Sequence, residues 1–225
     1  MLDTRFPRIH GDMGNATTFP FPVRYHRVTG AAPDLVVRRG AAGLLDVFVE
    51  GARALEREGV GAVTTNCGFL VKFQREMAAA VRVPVFTSSL LLVPLVHRLL
   101  GPGRRVGVMT VNAPSLTAEH LAGAGIGAEI PLAVVGMETE KEFTRVLLDN
   151  ELELDVEAAR DEHVRGARRL VAEHADVGAI VLECTNMPPY ADDIRRETGL
   201  PVFDITSLVR MAHDALAPGL APRPA

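Results

Sequence analysis

The 225-residue chain has no tryptophan, only two tyrosines and only two cysteines. Aromatics make up 5% of it, too few for a platform on which nucleic-acid bases could stack. Its formal net charge of −4 leaves no broad basic surface, so nucleic acid is not an expected partner. Long apolar runs are missing too. The longest, Leu90 to Val96, falls far short of the roughly 18 residues of a membrane helix, and no membrane association is expected. Nothing at the amino terminus resembles a signal peptide, which points to a soluble cytoplasmic protein without disulfides. The spacing of the two cysteines rules out a CxxC redox pair. No histidine stands at ligand spacing from either one, so zinc is not expected. No lysine sits at a strand end in a way that suggests PLP. The chain is therefore expected to need neither a metal nor an organic cofactor.

What is present is an alternation of strand and helix patterns. Leu44, Leu45, Phe48, Val49, Ala52 and Leu55 repeat at helical spacing within Gly43 to Glu58. Strands are expected at Val60–Asn66, Pro84–Thr87, Arg105–Thr110, Ile130–Val135, Gly178–Glu183 and Pro201–Asp204. Helices are expected at Phe69–Val81, from Ser88 or Ser89 to Leu100, and at Ser115–Ala122, Val156–His174, Pro188–Thr198 and Thr206–Leu216. This order implies parallel sheets wrapped by helices. The acidic stretch Glu138 to Glu157 reads as a short amphipathic helix on a rim or as a lid. The Pro/Gly-rich tail, residues 217–225, is expected to be disordered.

The order is partly duplicated. Strand, cysteine, helix, strand, helix occurs around Cys67 and again around Cys184, and Val83-Pro-Val-Phe-Thr87 matches Leu200-Pro-Val-Phe-Asp204. This implies two similar lobes facing across a cleft: residues 1–93 with 205–225, carrying Cys67, and residues 94–204, carrying Cys184. Each thiol should stand at the carboxyl end of a strand, the edge where open α/β sheets bind ligands. It should also lie near a helix amino end, which lowers thiol pKa values. Buried free cysteines are commonly inert. Two of them at matching strand ends suggest a paired acid and base.

Thr65-Asn-Cys-Gly-Phe69 and Glu183-Cys-Thr-Asn-Met-Pro-Pro-Tyr190 resemble the two signature segments of the aspartate/glutamate racemase superfamily. Gly11-Asp-Met-Gly-Asn-Ala-Thr17 is similar to the first loop of its uncharacterised racemase-like branch. The resemblance implies a pseudo-symmetric pair of α/β lobes with PLP-independent chemistry in the cleft. The expected activity is racemisation or epimerisation of a small amino acid or related carboxylate by a two-base mechanism. Cys67 and Cys184 would then be the catalytic pair, with sulfurs about 7 Å apart on opposite faces of a planar carbanion. Asn66, Ser88, Ser89, Thr110, Thr185 and Asn186, at strand ends, would hold the carboxylate. Asp12 and Asn15, in the first loop, would orient an amino group. A cysteine-dependent decarboxylase or cis–trans isomerase of a dicarboxylate, or a non-catalytic small-molecule binding protein, would fit the same scaffold, and a homodimer is the default assembly.

The chain also departs from that pattern. The Asp-Ser pair of glutamate racemases is missing, and Asn66 precedes Cys67 where theirs follows the cysteine. A role in supplying D-glutamate is therefore not expected. Only a stub could pair before Pro7, as if the first strand were truncated or the start codon assigned too late. The histidines at 97, 120, 163, 174 and 213 lie among charges and read as solvated surface.

Overall fold

A computed structural model describes residues 1–216; the tail expectation, on 217–225, lies outside the described residues. Two parallel sheets form the framework. The smaller pairs β1 (Val63–Thr64) with β2 (Val85–Phe86). The larger has the order β4-β3-β5-β6, with β3 Arg105–Thr110, β4 Leu132–Gly136, β5 Val177–Leu182 and β6 Val202–Phe203. Every pairing between these strands is parallel. The smaller sheet falls within residues 1–93 and the larger within 94–204. The two PVF segments occupy matching places, β2 beside β1 and β6 beside β5. The amino-terminal stub contributes a single bridge, Leu2 to Val28.

Nine helices surround the sheets among the described residues: α1 Pro33–Val37, α2 Leu45–Arg57, α3 Gln74–Ala80, α4 Val93–Leu99, α5 Ala118–Gly123, α6 Phe143–Leu148, α7 Val156–Glu173, α8 Ala191–Thr198 and α9 Ile205–Leu216. None is long and apolar enough to cross a membrane. The helix expected from Phe69 begins instead as a 3-10 turn, Gly68–Phe73, before α3. The helix expected from Ser88 also opens as a 3-10 turn, Ser89–Leu92. The Ser88 side chain caps it by accepting from the Leu90 N–H, and Pro94 sits in the first turn of α4 without kinking it.

The longest helix, α7, shows how the sequence builds the wall of the larger lobe. Asp155 caps it by accepting from the Glu157 and Ala158 N–H groups, a contribution of about 1 kcal/mol. Its buried stripe, Ala159, Glu162, His163, Gly166, Ala167 and Leu170, repeats at helical spacing. Gly166 lets the helix press onto the sheet, since a Cβ there would meet Met137 Sδ at 2.8 Å. The polar member of the stripe has a use. Both Glu162 carboxylate oxygens accept backbone N–H groups, from Lys141 and Glu142 on one side and Phe143 on the other, at 2.8–3.0 Å. A buried side chain thus fixes the amino end of α6 through three hydrogen bonds. This helix lies within the acidic stretch Glu138 to Glu157, expected as a rim helix or a lid; its Phe143, Val146, Leu147 and Leu148 are buried.

Candidate active site

Both cysteines stand where a strand gives way to the next element. Cys67 caps the 3-10 turn after β1, and Cys184 follows Glu183 at the end of β5. The Glu183 N–H donates to the Met109 carbonyl, so the parallel ladder runs up to the residue before Cys184. Both thiols are free and buried. They line one cavity together with Leu2, Phe6, Arg8, Asn66, Gly68, Phe69, Val111, Leu147, Leu148, Glu183 and Asn186, among other residues.

Three buried polar atoms around this cavity lack a protein partner: Arg8 Nε, Asn66 Nδ2 and Glu183 Oε1. Unpaired buried polar atoms cost free energy and call for an explanation. Here each belongs to a side chain that is otherwise held firmly. The Arg8 guanidinium donates to Asp12 Oδ1 at 3.0 Å and Thr4 Oγ1 at 2.9 Å, and it covers the Phe6 ring. Asn66 Oδ1 accepts the Leu2 N–H at 2.7 Å. Glu183 Oε2 accepts from Thr110 Oγ1 at 2.7 Å. The free atoms are thus two donors and one acceptor, held ready for a polar guest.

The other expected site residues serve this set from behind. Asp12 joins Arg8 to Asn186, whose Nδ2 donates to Asp12 Oδ2 at 2.5 Å, while Cys184 Sγ donates to Asn186 Oδ1 at 3.6 Å. Thr185 Oγ1 donates to the Asn66 carbonyl, and Ser89 Oγ to that of Leu182. Asn15 Nδ2 donates to the Arg8 carbonyl. Ser88, Ser89, Thr110 and Thr185 are fully buried with these internal partners and do not line the cavity. Of the eight expected substrate-binding residues, Asn66 and Asn186 line the cavity. Arg8, Gly68 and Glu183 line it without having been expected. Glu183 had a signal in the sequence, a lone charge closing an otherwise apolar strand. Arg8 had none, because its approach depends on the fold of an irregular segment.

The thiols do not behave as expected of helix amino ends. Burial, with the Glu183 carboxylate adding repulsion, pushes Cys67 up to about 12 and Cys184 well above its ordinary value. The reason is local: a short 3-10 turn follows Cys67 and a loop follows Cys184, and neither offsets the loss of water. Burial likewise pushes Glu183 up to about 8, against the opposing Thr110 hydrogen bond. Two histidines also depart from the surface reading. His120 is buried in a capping box with Thr117. His163 is fully buried, stacked on Tyr190 at 4.2 Å between ring centroids, and desolvation lowers it to about 4.

A parallel α/β protein with a strand-end thiol beside each of its two sheets, both on one cavity, defines a paired-cysteine class of fold and site. The chain belongs to the Asp/Glu/hydantoin racemase family, which residues 38–212 match. In fold it resembles unliganded arylmalonate decarboxylase, with a TM-score of 0.59 at 19% identity, covering 97% of this chain and 94% of that one. In sequence it is 33% identical to a dimethylsulfoniopropionate lyase of Durusdinium sp. clade D, over 90% of this chain and 69% of that protein. It is 32% identical to dimethylsulfoniopropionate lyase 7 of Emiliania huxleyi, over 92% of this chain and 63% of that protein. The chain thus spans about two thirds of the length of these relatives.

These relatives overturn the expectation of an amino-acid racemase or epimerase, and with it the isomerase class, because the activity they are named for is that of a lyase. The physical reason is plain. Two strand-end thiols speak for proton removal beside a carboxylate. They do not say whether the electron pair left behind recaptures a proton or expels a leaving group.

Proposed function

We propose that this protein is a cysteine-dependent lyase that cleaves a carbon–sulfur bond in a small sulfonium carboxylate, with dimethylsulfoniopropionate as the substrate to test. The observation that carries this reading is the 33% identity to a lyase of that name over 90% of the chain. The cavity offers a physical route. The substrate carboxylate takes the free donors Arg8 Nε and Asn66 Nδ2, the guanidinium being held in place by Asp12 and Thr4. Its methyl groups pack on Phe69, Val111 and Leu147.

A thiolate then removes a proton from the carbon beside the carboxylate. The electron pair of that C–H bond becomes the carbon–carbon double bond, and the bond from the neighbouring carbon to sulfur breaks. Sulfur leaves with its bonding pair as neutral dimethyl sulfide, acrylate remains, and one proton is released. Arg8 and Asn66 stabilise the charge that grows on the carboxylate as the C–H bond breaks. The second thiol, neutral and hydrogen-bonded, closes the opposite wall.

The test is direct. The full chain is incubated with dimethylsulfoniopropionate, dimethyl sulfide is measured in the headspace by gas chromatography, and acrylate by proton NMR. Equimolar products that depend on the thiols are expected. No product from folded wild-type protein, or undiminished product from C67S and C184S together, would overturn the reading.

A further inference from the structure

Glu183 lines the cavity with both thiols and repels charge on each of them. In the chain it precedes Cys184. In space its carboxylate is pressed against Gly68, the residue after Cys67, so closely that a Cβ at Gly68 would collide with Glu183 Oε1 and with its carbonyl oxygen. Thr110 on β3 holds Oε2. Oε1 is buried, without a partner, and on the cavity wall. The ionisable groups that face it are Cys67 and Cys184, with Arg8 as the only other charged group among the lining residues. A carboxylate with one oxygen tethered and the other free, beside two neutral thiols, is placed to exchange a proton.

We propose that Glu183 is a catalytic residue: as substrate enters, its Oε1 accepts the Cys67 thiol proton, and it gives that proton up to solvent once the products have left. This rests on the lyase reading. In the step, the S–H bond of Cys67 breaks and an O–H bond forms on Glu183, leaving a thiolate and a neutral carboxylic acid. The Cys67 thiolate then takes the proton from substrate carbon and is a thiol again. The proton that the overall elimination releases is the one held on Glu183.

Charge argues for this order. The empty site has one group able to ionise near neutral pH, and it is Glu183 at about 8, not Cys67 at about 12. Burial is the main cause of the raised thiol, and the carboxylate adds repulsion to it; moving the proton keeps a single negative charge in the buried site and removes that added repulsion. The positive sulfonium end of the guest favours the anion wherever it sits. Cys67 is the donor because the Cys184 S–H is already engaged by Asn186, itself fixed by Asp12.

The experiment uses Glu183→Gln, which keeps the shape but is always neutral and cannot take up a proton, and Thr110→Val, which removes the hydrogen bond favouring the carboxylate. In E183Q, kcat for lyase turnover is expected to fall about 10²–10⁴-fold with KM changed less than about threefold. In wild type, kcat/KM should have an acid limb near 8, and in T110V that limb should move to higher pH. The second readout needs no turnover. Binding of 3-(trimethylammonio)propionate, which has a far poorer leaving group, should raise thiolate absorbance in the wild type and not in E183Q. Lyase turnover that survives in E183Q within about threefold, or thiolate that still forms there, overturns the role of Glu183 and leaves the lyase reading intact. A wild type that cleaves nothing yet forms Glu183-dependent thiolate overturns the lyase reading and upholds the proton transfer.

Discussion

Gly68→Ala adds one methyl group at the tightest point of the site. The new Cβ would stand 2.9 Å from Glu183 Cδ and closer still to its Oε1 and carbonyl oxygen. Carbon atoms normally rest about 3.5–4.0 Å apart, so something must move by roughly 0.5–1 Å. The Glu183 carbonyl belongs to backbone extending the β5 ladder, and its carboxylate is tied to Thr110, so neither yields freely. Overpacking of this kind costs typically 1–3 kcal/mol. For a chain of this length that lowers the melting temperature by about 2–4 °C for each kcal/mol. The same displacement separates Cys67 from the other cavity groups, and a misplacement of about 1 Å can cost about 10²-fold in rate. Calorimetry and lyase turnover on the same preparation check both numbers. A Gly68→Ala protein with unchanged melting temperature and unchanged turnover would refute the close approach of Glu183 to the Cys67 strand end, and with it the geometry of the proton transfer.

Three further outcomes are expected. Cys67→Ser should lower turnover about 10²–10⁴-fold, as loss of the base, and Cys184→Ser far less, while each shifts the melting temperature by only a few degrees, since the volume change is small; without substrate, iodoacetamide should label either thiol slowly at neutral pH and faster in alkali, as mass spectrometry would show. Glu183→Gln should gain stability over the wild type as pH rises from about 4.5 to about 8, because there the unfolded chain releases a proton that the folded one retains; melting curves of the two proteins that run parallel across this window would refute the raised carboxyl. His163→Phe should lose less stability than the wild type between about 6.5 and about 4, the window in which the unfolded histidine takes up a proton that the buried one refuses; equal acid sensitivity in denaturant titrations would place His163 in contact with water.

The parts of this molecule that were legible in its sequence are those whose pattern is local. Arg105–Thr110 and Val156–Glu173 stand out because one is a continuous β-branched and apolar run and the other carries a stripe at helical spacing. The two cysteines are legible because each closes an apolar run that begins after a glycine. The segment after Cys67 was harder to read. Gly68, Phe69, Leu70, Val71 and Phe73 are all buried, so it has no solvent face and no period to reveal the 3-10 winding. The hydroxyls of Ser89, Thr110 and Thr185 sit at the expected strand ends, but their partners are carbonyls and a carboxylate distant in the chain. No spacing rule distinguishes an anchor for the site from a hydroxyl turned to a ligand. His163 misled because Asp161 and Arg165 beside it occupy the outer face of α7 while it lies on the inner one with Glu162.

The floor of the cavity is laced shut. Ser89 to Leu182, Thr185 to Asn66, Met13 to Thr185 and Asn186 to Asp12 are hydrogen bonds that join one lobe to the other directly behind the thiols. Lobes sewn together in this way cannot gape like a jaw around a large guest. Leu147 and Leu148, on the six-residue α6 held by Glu162, form part of the cavity lining. A guest would then meet walls already in place, and the size of the side chains that α6 turns to the cavity, Leu147 and Leu148, would set how bulky an acid fits between the thiols.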